Sequence, residues 1–110
     1  MTAYQMVGTA VLCAIDTPET ISIVATTNNP AGNKNITFLK VTNASVTDVQ
    51  GITVSLTAPV MALDMANTTI VEAGGSAFVQ VAAANYTGPV YVRITGAAPG
   101  AYVQPVAIVN

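Results

Sequence analysis

Ile52-Thr53-Val54-Ser55-Leu56-Thr57 alternates apolar and polar residues without a break. Side chains of a strand point to opposite faces in turn, so Ile52, Val54 and Leu56 face a core and the hydroxyls face away. Val90-Tyr91-Val92-Arg93-Ile94-Thr95 repeats the pattern. Residues 20–27 put Ile21, Ile23 and Ala25 on one face and Ser22 and Thr26 on the other. Residues 35–42 are apolar on both faces (Ile36 and Phe38; Leu39 and Val41), as in a central strand or one lying under a partner. Residues 76–82, 101–109 and 68–72 read as further strands, and Pro105 makes 101–109 an edge strand or bends it.

Working outward, turn residues separate these runs every eight to fifteen positions. They stand at 28–33, 43–50, Gly74-Gly75, 86–89 and 96–100. Val (16), Thr (15) and Ile (8) exceed a third of the 110 residues, and branched side chains fit a pleated surface. Residues 59–67 have room for one helical turn, too short to be stable alone. The reading is an all-β antiparallel sandwich of seven to eight strands. Residues 20–110 form the sandwich. Residues 1–19, apolar at odd and even positions and broken by Asp16-Thr17-Pro18-Glu19, are either its first strand or an arm that pairs with another chain.

Composition narrows the function. Only 7% of the chain is charged, against about 25% in an average globular protein, and the net charge is −2. An apolar content of 52% argues against disorder. Three cations form no basic patch for nucleic acid. With no His and a single Cys, a Ser-His-Asp or Cys-His triad and a Cys/His zinc site have no ligands to draw on. Gly74-Gly75 lacks the Lys and helix of a phosphate loop. Asp16 and Glu19 are close in sequence but lie in a Pro-containing linker, which argues against an acid pair, and Asp48 and Asp64 are isolated, which argues against a calcium loop. Tyr86, Tyr91 and Tyr102 are not at single-strand spacing, so no row of rings for stacking sugars is read. No enzyme, metal or cofactor is expected.

The longest charge-free run, 73–92, is interrupted by Gly74, Gly75, Gly88 and Pro89, which argues against a membrane span. The first residues carry no Lys or Arg, unlike a secretory leader, so synthesis without export is expected. Cys13, inside an apolar run, is expected to be a buried, inert thiol. Sequons at Asn35, Asn43, Asn67 and Asn85 would matter only in an exported chain.

The segment from Asn35-Ile36-Thr37-Phe38 through Val54-Ser55-Leu56 resembles the start of a bacterial immunoglobulin-like repeat of the cell-adhesion type, with Ser45 where Gly is usual. Thr69 to Val81 is similar to that family's strand, Gly-rich turn, strand element, and Pro99-Gly100-Ala101-Tyr102-Val103 to the entry of its last strand. The resemblance implies an immunoglobulin-like sandwich over about residues 20–110.

A surface so short of charge points to burial by partners. The chain is similar in kind to a phage capsid decoration (cement) protein: small, β-rich and oligomeric on a shell. On that reading it works in a virion made in the host cytoplasm, against the major capsid protein or another shell protein, as a trimer or dimer. The expected partner surface comprises Tyr4, Met6, Val7, Val11 and Leu12, with Ile36 and Phe38 of the doubly apolar strand, and Tyr91 and Arg93, which share an outward strand face. The alternative is an adhesion or ligand-binding module of a bacterial surface protein, located outside the cell.

Overall fold

The computed structural model describes residues 3–6, 8–23, 37–82 and 86–109. Nine strands form among them: β1 (Ala3–Met6), β2 (Val11–Cys13), β3 (Pro18–Ile23), β4 (Thr37–Asn43), β5 (Gln50–Ser55), β6 (Thr68–Val71), β7 (Ser76–Ala82), β8 (Gly88–Gly96) and β9 (Ala101–Val109). The short helical turn expected within 59–67 is a 3₁₀ turn at Met65–Asn67. The far end of the strand expected over 20–27, the 28–33 loop, Val7 and Ile36 lie outside the described residues.

The strands make two antiparallel sheets, so the expected all-β sandwich is what the structure shows. One sheet runs β1–β9–β4–β7, with β2 also on β9; the other runs β3–β8–β5–β6. The pairs are nested: β2 with β9, β3 with β8, β4 with β7 and β5 with β6. That is one long hairpin with its tip between β5 and β6. Winding it up brings β9 beside β4 and β8 beside β5. The resulting order is that of a jelly roll, a sandwich built from two Greek keys.

Alternation then fixes the core. Cys13, Leu39, Val41, Ala101 and Val103 face inward from the first sheet, and Ile21, Ile23, Ile52, Val71, Val90, Val92 and Ile94 from the second. Each fully buried Val, Ile or Leu contributes about 1.5–3 kcal/mol. Residues 1–19 had two roles open to them. Here β1 and β2 pair with β9, Cys13 is in the core, and Ile15 bridges to Ile94 in the opposite sheet. Asp16 makes the corner between sheets at φ 53, a left-handed value Asp tolerates better than most residues, and its N–H donates to the Ile94 carbonyl at 2.7 Å.

Pro105 does not put β9 at an edge; β9 lies between β1/β2 and β4. The proline fits because the neighbouring strand is broken opposite it. β1 pairs only with Val106–Val109 of β9 and β2 only with Ala101–Val103. Gln104 Nε2 donates to the Gly8 carbonyl across that break, at 3.0 Å.

Cys13 is fully buried. Burial, helped by the carboxylate of Glu19, pushes its thiol up from 9.0 to about 11. The neutral form is thus favoured by the fold. The stability this carries is intact below pH 9 and is lost as pH rises from 9 towards 11. The expected result is a thiol that reacts with an aromatic disulfide reagent only after denaturation. The urea midpoint should fall between pH 8 and pH 10.5 by more than in a Cys13→Ala control.

Candidate functional site

The outer face of the β1–β9–β4–β7 sheet follows from the registers. Met6, Val106, Phe38 and Gln80 form one row across four strands; Gln104, Lys40 and Phe78 form the next; Leu12, Tyr102, Thr42 and Ser76 form the third. Met6 is 63% exposed, Tyr102 47%, Leu12 46% and Phe78 42%. Val106 is buried although it points outward, because its neighbours in the row are Met6 and Phe38. Phe38 and Phe78 stand diagonally on adjacent strands, within reach for aromatic side chains. Lys40 is the one charged residue among these eleven positions. Large apolar side chains on a solvent face mark an interaction surface when they are contiguous.

The expected partner residues divide between the two faces of the molecule. Met6, Leu12 and Phe38 come together on the face just described. Tyr4 pairs with Ile108 in the same sheet. Val11 is half-exposed but occupies the inward register, opposite Val103, so it does not join that face. Tyr91 and Arg93 are on the outer face of the other sheet, pointing the opposite way.

That second face is polar. Pro18, Thr20 and Ser22 of β3, Tyr91, Arg93 and Thr95 of β8, Thr53 and Ser55 of β5, and Thr68 and Ile70 of β6 share it. Thr53 and Thr68 are joined through their hydroxyls at 2.8 Å. Beyond Ser55 the chain makes a long excursion, residues 56–67, before entering β6. Between this excursion and β5 lies a cleft of about 540 Å³ with mostly polar walls. Asp64 shapes it: its Oδ1 accepts from the Ala66 N–H at 3.1 Å, which caps the 3₁₀ turn, and its Oδ2 accepts from Asn67 Nδ2 at 2.7 Å. Ser55 and Thr57 hydroxyls stand 3.3 Å apart on the opposite wall.

Sequence reasoning missed Phe78 and Tyr102 on the first face and Asp64 and Asn67 at the cleft. The first two carried a signal. In Ser76-Ala77-Phe78-Val79-Gln80 the odd positions are core, so Phe78 is an aromatic in an outward slot; Tyr102 beside Val103 is another. Asp64 and Asn67 carried none, since their meeting depends on the fold of a loop.

No family model, curated protein or solved structure matches this chain. Among the described residues no helix is long and apolar enough to cross a membrane.

Proposed function

We propose that this chain is a non-enzymatic structural protein of a viral particle, a capsid decoration or cement protein that stabilises the shell. The observation that carries the reading is the outer face of the first sheet, where Met6, Leu12, Phe38, Phe78 and Tyr102 lie around a single charge. Such a face suits burial against the major capsid protein or another shell protein, with aromatic anchors at its centre. A few large side chains of this kind carry most of the binding energy of an interface. Jelly rolls are among the folds that viral capsid domains use, which supports the reading. A dimer or trimer would further cover charge-poor surface.

The test is sedimentation of the native protein from its source lysate through a density gradient. The expected result is migration with megadalton particles. Phe78→Glu, at an exposed position, should then weaken shell binding by about 30-fold, from a hot-spot loss of about 2 kcal/mol, and leave the unfolding midpoint nearly unchanged. Wild-type protein found only at the size of a free domain or small oligomer would end the cement reading. It would leave the adhesion or ligand-binding module as the better account.

A further inference from the structure

We infer that the cleft between β5 and residues 56–67 is a binding site for a neutral saccharide, on the face opposite the apolar one. Three observations combine. The cleft has the volume for one or two sugar rings, about 540 Å³, within the range of small-ligand sites. Its walls place Thr53, Ser55, Thr57, Asp64 and Asn67 around one space, offering a carboxylate, an amide and hydroxyls as paired donors and acceptors. Tyr91 stands directly across from Ser55 in the β5–β8 register, on the same outward face, and Arg93 stands across from Thr53. Neither Tyr91 nor Arg93 makes a side-chain hydrogen bond or ion pair among the described residues. Tyr91 itself does not line the cleft; its neighbour Ser55 does, so the ring stands one strand away on the same outward face and offers a flat apolar surface there.

The chemistry selects the ligand class. A carboxylate on the wall disfavours phosphate and other anions. No group of three His, Cys, Asp or Glu side chains forms among the described residues, so a metal ion lacks a charged ligand set. An apolar ligand would strip water from the Asp64 carboxylate, whose two oxygens each accept only one bond from the groups named above, without replacing it. A pyranose satisfies all of these: its hydroxyls bond Asp64, Asn67 and Ser55, and its C–H face lies against Tyr91. The two outer faces point in opposite directions, so the site stays open when the apolar face is covered. The inference does not depend on what covers that face.

The experiment is a titration of isotope-labelled protein, followed by amide NMR, with neutral oligosaccharides of glucose, galactose, mannose and N-acetylglucosamine up to about 10 mM, enough to detect millimolar affinity. The expected result is saturable shifts for at least one sugar, confined to Ser55, Thr57, Asp64, Asn67, Tyr91 and their neighbours. Tyr91→Ala should raise the dissociation constant about tenfold or more, while Tyr91→Phe stays within about threefold, because the ring and not the hydroxyl supplies the stacking surface. Tyr91 is partly exposed, and a wild-type spectrum elsewhere reports that both variants fold. Absence of shifts with all four sugars, shifts that map to the apolar face, or Tyr91→Ala binding as wild type would each overturn the assignment.

Discussion

Replacing Gly100 with alanine is expected to remove about 4 kcal/mol or more of stability, close to the whole margin of a small domain. A Cβ built there runs into the carbonyl oxygen of Cys13 and lies 3.0 Å from its carbonyl carbon and 3.1 Å from the Cα of Ala14. All three are backbone atoms and cannot rotate away as a flexible side chain would. Gly100 also has φ +111, which L side chains rarely adopt. Relief would require moving the end of β2 away from β9, and Gly100 is tied on other sides. Its carbonyl accepts from the Ala44 N–H at 3.1 Å and from Gln50 Nε2 at 2.8 Å. A shift therefore loosens β2, the end of β4 and the start of β5 together. The measurement is thermal unfolding, with an expected fall of about 15 °C or more, or loss from the soluble fraction. Gly74→Ala is the matched control. It also has positive φ, +66, but its nearest contact is the Val46 Cα at 3.9 Å. It should cost about 1–2 kcal/mol, the left-handed penalty alone. A Gly100→Ala protein within about 1 kcal/mol of wild type would mean that β2 yields, and that residues 11–15 are less firmly part of the sandwich than their registers show.

The strands were legible because their side chains obey a period of two. Ser76–Ala82 and Ala101–Val109 end where alternation and the flanking glycines put them. Both alternating hexapeptides fall on strands at the centre of a sheet, β5 and β8, though β5 ends at Ser55 and Leu56 and Thr57 open the next loop. The doubly apolar pattern at 35–42 correctly signalled a central strand: β4 has β9 on one side and β7 on the other. Pro105 misled because a proline's constraint is local. What decides its place is whether the strand beside it is continuous, and among the described residues that is settled by 8–10, about a hundred positions away. The apolar outer face was half legible. Met6, Leu12 and Phe38 are apolar in the sequence and exposed or half-buried on one face, but joining them to Phe78 and Tyr102 needs the nested strand order. No local pattern gives that order. It arises from which long-range pairs bury the most surface, and the same alternation serves more than one order. Tyr91 and Arg93 were placed on an outward face by alternation alone, and the structure adds the cleft beside them.

Asn43 makes the second large prediction, because it joins the two sheets through its side chain. It is the last residue of β4 and is 3% exposed. Its Nδ2 lies 2.8 Å from the Asp48 carbonyl, 3.2 Å from that of Val71 and 3.3 Å from that of Glu72. Its Oδ1 accepts from the Ser45 N–H at 2.8 Å, closing an Asx turn. One amide thus holds the 43–50 connection, the end of β6 in the opposite sheet and the turn between them. The nitrogen an N-linked glycan would need is buried and engaged, so the sequon Asn43-Ala44-Ser45 cannot be modified in the folded chain. Asn43→Ala leaves three carbonyls and an N–H without this partner, at about 1–3 kcal/mol for each group that stays buried and unsatisfied, so a total of about 3 kcal/mol is expected. Asn43→Asp separates the two functions of the amide. It keeps the shape and the acceptor for Ser45 but turns the donor into an oxygen facing three carbonyls. At neutral pH it should be the more damaging variant despite being the closer match in volume, because among the described residues no cation is paired with this position. Protonation restores one donor, so the folded state favours the neutral acid and the variant's deficit should shrink as pH falls from 7 to 4. Urea midpoints of wild type and both variants at the two pH values test this. If Asn43→Asp is no worse than Asn43→Ala at pH 7, or its deficit does not change with pH, then the three carbonyls find water and the link between the sheets does not rest on the Asn43 amide.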